Sequence, residues 1–155
     1  MKIILFRFEK ENIHFLECNL VSGNLIIGKK EKIPLISTES KGEEYNKVAD
    51  ELFLISSKYN PDFFAYQLPQ KFRGIIKDEE GFANSVILNL FCYQNSIKLL
   101  KLTPAIIRKR LSIPAKEFDV KVKQEKENIF ITYKIAKSDK IIDGLTLLSL
   151  LKETF

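Results

Sequence analysis

Near residue 40 the apolar residues of this chain change their period, and that switch restricts the folds open to it. Before it, Lys2–Phe8 (KIILFRF) and Asn12–Cys18 are rich in β-branched and aromatic residues with partial alternation, which predicts strands. Glu9–Glu11 is polar and fits a tight turn between them. Ser22, Gly23 and Asn24 form a clearer turn, leading into Leu25–Ile27 and on to Ile33–Ile36. After the switch, Tyr45, Val48, Ala49, Leu52, Phe53 and Ile55 recur at helical spacing behind Ser40 and Glu43, a pair spaced as a capping box. Asn60 and Pro61 end that helix, because the residue before a proline is driven out of the α region. Three antiparallel strands cannot hide an apolar face alone. They need helices laid on a sheet.

The rest of the chain supplies them. Asp62–Tyr66 reads as a short, buried fourth strand, and Gln67–Gly81 is a polar loop holding Pro69, Lys71, Arg73 and Gly74. Phe82, Ala83, Val86, Ile87, Leu90 and Phe91 predict a second helix, and Ile97–Leu102 a fifth strand. Thr103 and Pro104 open a short helix over Ala105–Leu111, since threonine caps free N–H groups and proline is pre-set for the first helical position. That helix presents Arg108, Lys109 and Arg110. Phe118, Val120 and Val122, then Ile129, Ile131, Tyr133 and Ile135, alternate and predict a hairpin turning at Glu125–Asn128. Asp139–Lys152 carries Ile142, Leu145, Leu148 and Leu151 on one helical face. The expectation is one α/β domain over residues 1–155: a mixed sheet of about five strands with helices on both faces, and a hairpin insertion at 118–135.

Composition excludes more than it selects. With 45% hydrophobic residues and 12 Phe among 155, the chain is not a disordered one. Lys plus Arg is 25 against 20 for Asp plus Glu, a net charge of +5 that permits a nucleic-acid partner without requiring one. Cys18 and Cys92 form no CxxC pair and read as buried thiols in a reducing compartment. His14 is the one histidine, so a His-based zinc site or a serine nucleophile with its base lacks support. The six glycines form no phosphate-cradling fingerprint. The opening MKIILFRFEKEN is too short for a secretory signal, and no run is long enough to span a membrane, so the expected location is the cytoplasm.

The element order, together with Asp62–Leu68 (DFFAYQL), Asp139–Leu145 (DKIIDGL) and the QKFRG loop ahead of the Phe82 helix, resembles the RNase H-like fold in its RuvC-like branch of Holliday-junction resolvases. The resemblance implies nucleic-acid phosphodiester cleavage by two divalent metals, Mg or Mn, held among clustered carboxylates, because two hard cations a few Å apart need several oxygen ligands. Carried over residue by residue, the acidic set is degenerate. The first-strand aspartate corresponds to Arg7, with Glu9 two residues on as a substitute. The fourth-strand glutamate corresponds to Gln67, whose amide brings no charge. Asp139 and Asp143 correspond to the acids of the last helix, spaced by four where the family uses three.

No catalytic residue is assigned outright on these grounds; Glu9, Gln67, Asp139 and Asp143 are the candidates, and Asp139 and Asp143 the candidate metal ligands. The leading reading is a protein that keeps the fold, lacks the cleavage chemistry, needs no cofactor, and binds structured DNA or RNA through Lys71, Arg73, Arg108, Lys109 and Arg110. Tyr66 and Phe72 are candidates for base stacking. The alternative is a Mg-dependent endonuclease in which Asp139 and Asp143, aided by Glu9 or by a loop acid such as Asp78 or Glu79, gather around one or two Mg²⁺ ions. A third reading is a protein-interaction scaffold or homodimer using Phe53, Ile142 and the 118–135 segment.

Overall fold

The computed structural model describes residues 1–68, 71–72, 75–76 and 78–155, with backbone alone at 71–72 and 75–76. Three strands open the chain as antiparallel neighbours: β1 (Lys2–Phe8), β2 (Asn12–Val21) and β3 (Asn24–Pro34). Ser22 and Gly23 between β2 and β3 both take positive φ, 50° and 77°, the two-residue turn whose twist suits a hairpin. α1 (Lys41–Tyr59) begins where the Ser40 hydroxyl accepts the Glu43 N–H and ends at Asn60 in the left-handed region. β4 (Phe63–Gln67) lies parallel to β1. The polar segment after it contains a small antiparallel pair, β5 (Lys71–Phe72) and β6 (Ile75–Ile76). Then come α2 (Glu79–Gln94), β7 (Lys98–Leu102), α3 (Pro104–Leu111), α4 (Ala115–Tyr133) and α5 (Ile142–Leu150). The main sheet has the order β3-β2-β1-β4-β7 and is mixed, with β4 and β7 parallel to β1.

Alternation along β1 divides the core. Ile4, Phe6 and Phe8 point to the face covered by α1 and α2, where Phe6 meets Phe64 edge-on at 5.0 Å. Ile3 and Leu5 point to the face covered by α3, α4 and α5, where they join Ile107, Phe118, Ile129, Leu145 and Leu148. Arg7 continues this second row, so a charged side chain lies at the end of a buried apolar stripe. α5 starts directly over that end. A Cβ added to Gly144 would meet Leu5 at 3.3 Å and the Gln67 Cβ at 3.4 Å.

The expected hairpin at 118–135 is corrected by α4. Phe118 and Ile129 are buried and Val122 and Tyr133 half-buried, while Val120 and Ile131 are exposed. Spacings of four, seven and four residues form one helical stripe, and the alternate residues face water. The supposed turn, Glu125–Asn128, has no glycine to make it, and Lys, Gln and Glu favour the helix. α4 docks on α5 through Ser149 Oγ, which donates to Glu125 at 2.5 Å, and on β3 through the Tyr133 hydroxyl, which donates to the Leu25 carbonyl at 2.5 Å. Ile142 is 2% exposed, so it belongs to the core and to no interaction surface.

A bulge between β2 and β3 decides which lysines reach the α5 side of the sheet. From the turn to Cys18↔Ile27, the two strands pair in one register; beyond it, Leu16 pairs with Lys30 and His14 with Lys32, one residue out of step. The bulge reverses which side chains of β3 face α5. Before it Leu25 and Ile27 do so; after it Lys30 and Lys32 do, and Ile33 turns to the opposite core.

Candidate functional site

Arg7 is the centre of a polar row. It pairs in register with His14 on β2 and with Gln67 on β4, and His14 in turn pairs with Lys32 on β3. Residues in register share a face. Lys32, His14, Arg7 and Gln67 therefore cross four strands on the α5 side, at the carboxyl ends of the parallel strands β1 and β4. The Arg7 Nη1 donates to the Leu68 carbonyl at 3.1 Å. Its Nε is buried with no acceptor among the described residues. Gln67 is only 6% exposed.

Each candidate acid around this row is already neutralised by a cation. Glu9, just past β1, accepts from His14 Nε2 at 3.0 Å and pairs with Lys140 at 3.2 Å. Burial would raise its carboxyl, but the hydrogen bonds and charges of His14 and Lys140 outweigh burial and hold it below the ordinary value. Asp139 is ion-paired with Lys30 and accepts the Ile141 N–H at 3.1 Å, at the turn into α5. Burial again pushes its carboxyl up, and Lys30, the Ile141 N–H and the nearby His14 together bring it below the ordinary value. Asp143 turns toward α4, where Lys126 holds it at 2.7 Å. The loop acids are spent elsewhere: Asp78 caps α2 by accepting the Gly81 N–H at 2.8 Å, and Glu79 lies in that helix's first turn.

These residues do not fit a pair of divalent cations. A guanidinium stands in register with a neutral amide at the two strand positions, and Glu9, Asp139 and Asp143 each answer a different lysine. Among the described residues, no three histidine, cysteine or carboxylate side chains gather closely enough to hold a metal ion.

Of the basic residues expected to meet nucleic acid, those whose side chains are described lie on α3, and Arg110 among them stands apart from the Arg7 row. Arg73 lies outside the described residues, as do the side chains of Lys71 and Phe72. Arg108, Lys109 and Arg110 are exposed on α3, and the Arg110 guanidinium sits 5.5 Å from the Phe155 ring. Phe155 packs at 5.9 Å on Phe63, the first residue of β4. Arg110 is thus at the end of β4 away from Gln67, about 13 Å along the strand. Tyr66 is buried and its hydroxyl accepts from Asn89 Nδ2 at 3.1 Å, which makes it a core residue. Lys32, Lys30 and Lys140, which sequence reasoning left out, line a groove with His14, Glu31, Asp139 and Ile141 beside the Arg7 row. Their alternation with Glu31 along β3 was visible; the bulge that selects which of them face α5 was not.

No family model matches the chain, and no curated protein does either. Solved structures do. RuvC of Thermus thermophilus superposes with a TM-score of 0.68 at 11% identity, covering 97% of this chain and 92% of that one. The same protein in complex with a Holliday-junction substrate gives 0.67 at 10% identity, covering 97% and 91%. The fowlpox virus resolvase in complex with Holliday-junction DNA gives 0.57 at 20% identity, covering 99% and 98%. At such identities the likeness is one of architecture, and the architecture is the RuvC-like, RNase H-like fold.

Proposed function

We propose that this chain, built on the RuvC-like fold, binds structured nucleic acid and does not cut it by two-metal chemistry. The observation that carries the reading is the in-register pair Arg7 and Gln67, at the strand positions where the resemblance calls for acids. A guanidinium about 5 Å from a divalent cation opposes it by on the order of 6 kcal/mol at an effective dielectric of 20. Replacing glutamate by glutamine removes a further attraction. Nucleic acid as the partner is supported by the cationic groove of Lys30, Lys32 and Lys140 beside Arg7, and by the junction DNA held by two of the matched resolvase structures.

The test is binding and cleavage of a synthetic four-way junction, a duplex and a single strand, with EDTA, Mg²⁺ or Mn²⁺. The expected result is binding that weakens steeply with salt in every condition, with the strands intact. Metal-dependent cleavage abolished in Asp143→Asn would establish the nuclease alternative instead.

A second reading has its own observation. Phe82, Val86, Leu90 and Tyr93 form an exposed apolar line along α2, at steps of four, four and three residues. A helix apolar on its outer face as well as its inner one suits a symmetric pairing with a second copy of this chain. Failure to bind any nucleic acid at low salt, with a dimeric mass in solution, would favour a scaffold over a binder.

A further inference from the structure

We infer that the row Lys32, His14, Arg7 and Gln67 is a phosphate-oxygen site: the place where the fold would hold cations has been converted to hold the anion itself. The ligand class is the phosphodiester of a nucleic-acid backbone. That identity rests on the proposed function, whereas the anion site rests on the residues alone.

Three observations carry it. First, Arg7 is a half-buried guanidinium with five N–H donors, and the Leu68 carbonyl is the one acceptor it meets among the described residues. The Nε–H in particular is buried and has no acceptor among the described residues, a costly arrangement for a charged group unless an acceptor arrives. Second, the charges around the row do not cancel. Glu9 is matched by Lys140 and His14, and Asp139 by Lys30, while Arg7 and Lys32 have no carboxylate partner among the described residues. Third, the β2–β3 bulge turns Lys30 and Lys32 toward this face, where an unbroken register would present Glu31 opposite His14. An added carboxylate here would hold a cation; the fold presents lysines. Strands lie about 4.8 Å apart, so Arg7 on β1 and Lys32 on β3 stand roughly 10 Å apart across His14, a gap that admits a phosphate, with the Gln67 amide on the other side of Arg7.

The experiment has two arms on the full chain. In one, the Arg7 Nε–H resonance of ¹⁵N-labelled protein is followed during titration with inorganic phosphate, with chloride at equal ionic strength as control. In the other, four-way-junction affinity is measured against salt for the wild type, Arg7→Met, Lys32→Gln and, as a control on α1, Lys47→Gln. The expected result is a saturable phosphate-specific shift. Arg7→Met and Lys32→Gln should each weaken junction binding about tenfold and lower the salt slope by about one, with Lys47→Gln near the wild type. Lys32 is exposed, so its variant and the wild-type resonance decide the matter even if Arg7→Met does not fold. An Arg7 signal that phosphate leaves unmoved, with junction affinity unchanged in Lys32→Gln, overturns the site while leaving nucleic-acid binding intact. A phosphate-shifted Arg7 signal in a protein that binds no junction upholds the site and overturns the proposed function.

Discussion

Glu9 and Asp139 owe their charge states to neighbours far away in the chain, and that makes their contribution to stability measurable by pH. Both carboxyls are held below their ordinary values, 4.5 and 3.8, so the folded state favours the ionised forms. Their stabilisation is complete above those values and is lost as pH falls through the depressed ones. Glu9→Gln should therefore lower Tm at pH 7, where that stabilisation is complete, and approach the wild type at acid pH, which flattens the acid-side decline; an unchanged decline would remove the ion-pair account. The two thiols report burial in the same way. Burial, with Glu17 adding to it, pushes Cys18 up to about 12, and burial alone does the same for Cys92. Iodoacetamide at pH 8 should label neither in the native protein and both in urea. Rapid native labelling of either would contradict its position in the core.

Two glycines show how elements are set against each other. Gly81, in the first turn of α2, faces the Asp78 carboxylate and the Phe8 backbone carbonyl, which an added Cβ would meet at 2.8 Å. Backbone cannot yield as a side chain can, so Gly81→Ala should destabilise by on the order of 2 kcal/mol despite alanine's better helix propensity. Gly144, over Leu5 and Gln67, would place a Cβ at 3.3 to 3.5 Å from side-chain atoms only. Gly144→Ala should stay within about 1 kcal/mol of the wild type, the helical gain offsetting tight packing. Urea unfolding of both variants checks the contrast; equal losses would mean that α5 is pinned as rigidly as α2. α4 shows how an element can be misread from its residues. Those at 118, 122, 129 and 133 satisfy a helix, and the β-branched alternates satisfy a strand. The docking surface offered by α5 settles the choice.

At the scale of the molecule, two outer surfaces have different characters. The α5 side carries the cationic groove, and the α2 side the apolar line Phe82, Val86, Leu90 and Tyr93, with Phe53 and Leu54 exposed on α1. If α2 joins two copies, Leu90→Glu should convert a dimeric mass to a monomeric one without lowering Tm, because Leu90 contributes little to the core of its own chain. A wild type that is already monomeric at high concentration would dismiss this pairing. No helix among the described residues is long and apolar enough to cross a membrane.

Outside α4 and the β5–β6 pair, the order of strands and helices was legible from residues near one another, as were the two apolar faces of β1 and the caps at Ser40 and Thr103, because period and capping are local properties. The polar row was not. It depends on a one-residue slip between β2 and β3, which turns Lys30 and Lys32 rather than Glu31 toward α5, and on lysines brought to Glu9, Asp139 and Asp143 from positions 17 to 131 residues away. Such pairings are chosen by the free energy of the assembled sheet and its covering helices, a sum over partners that no single stretch of the chain contains.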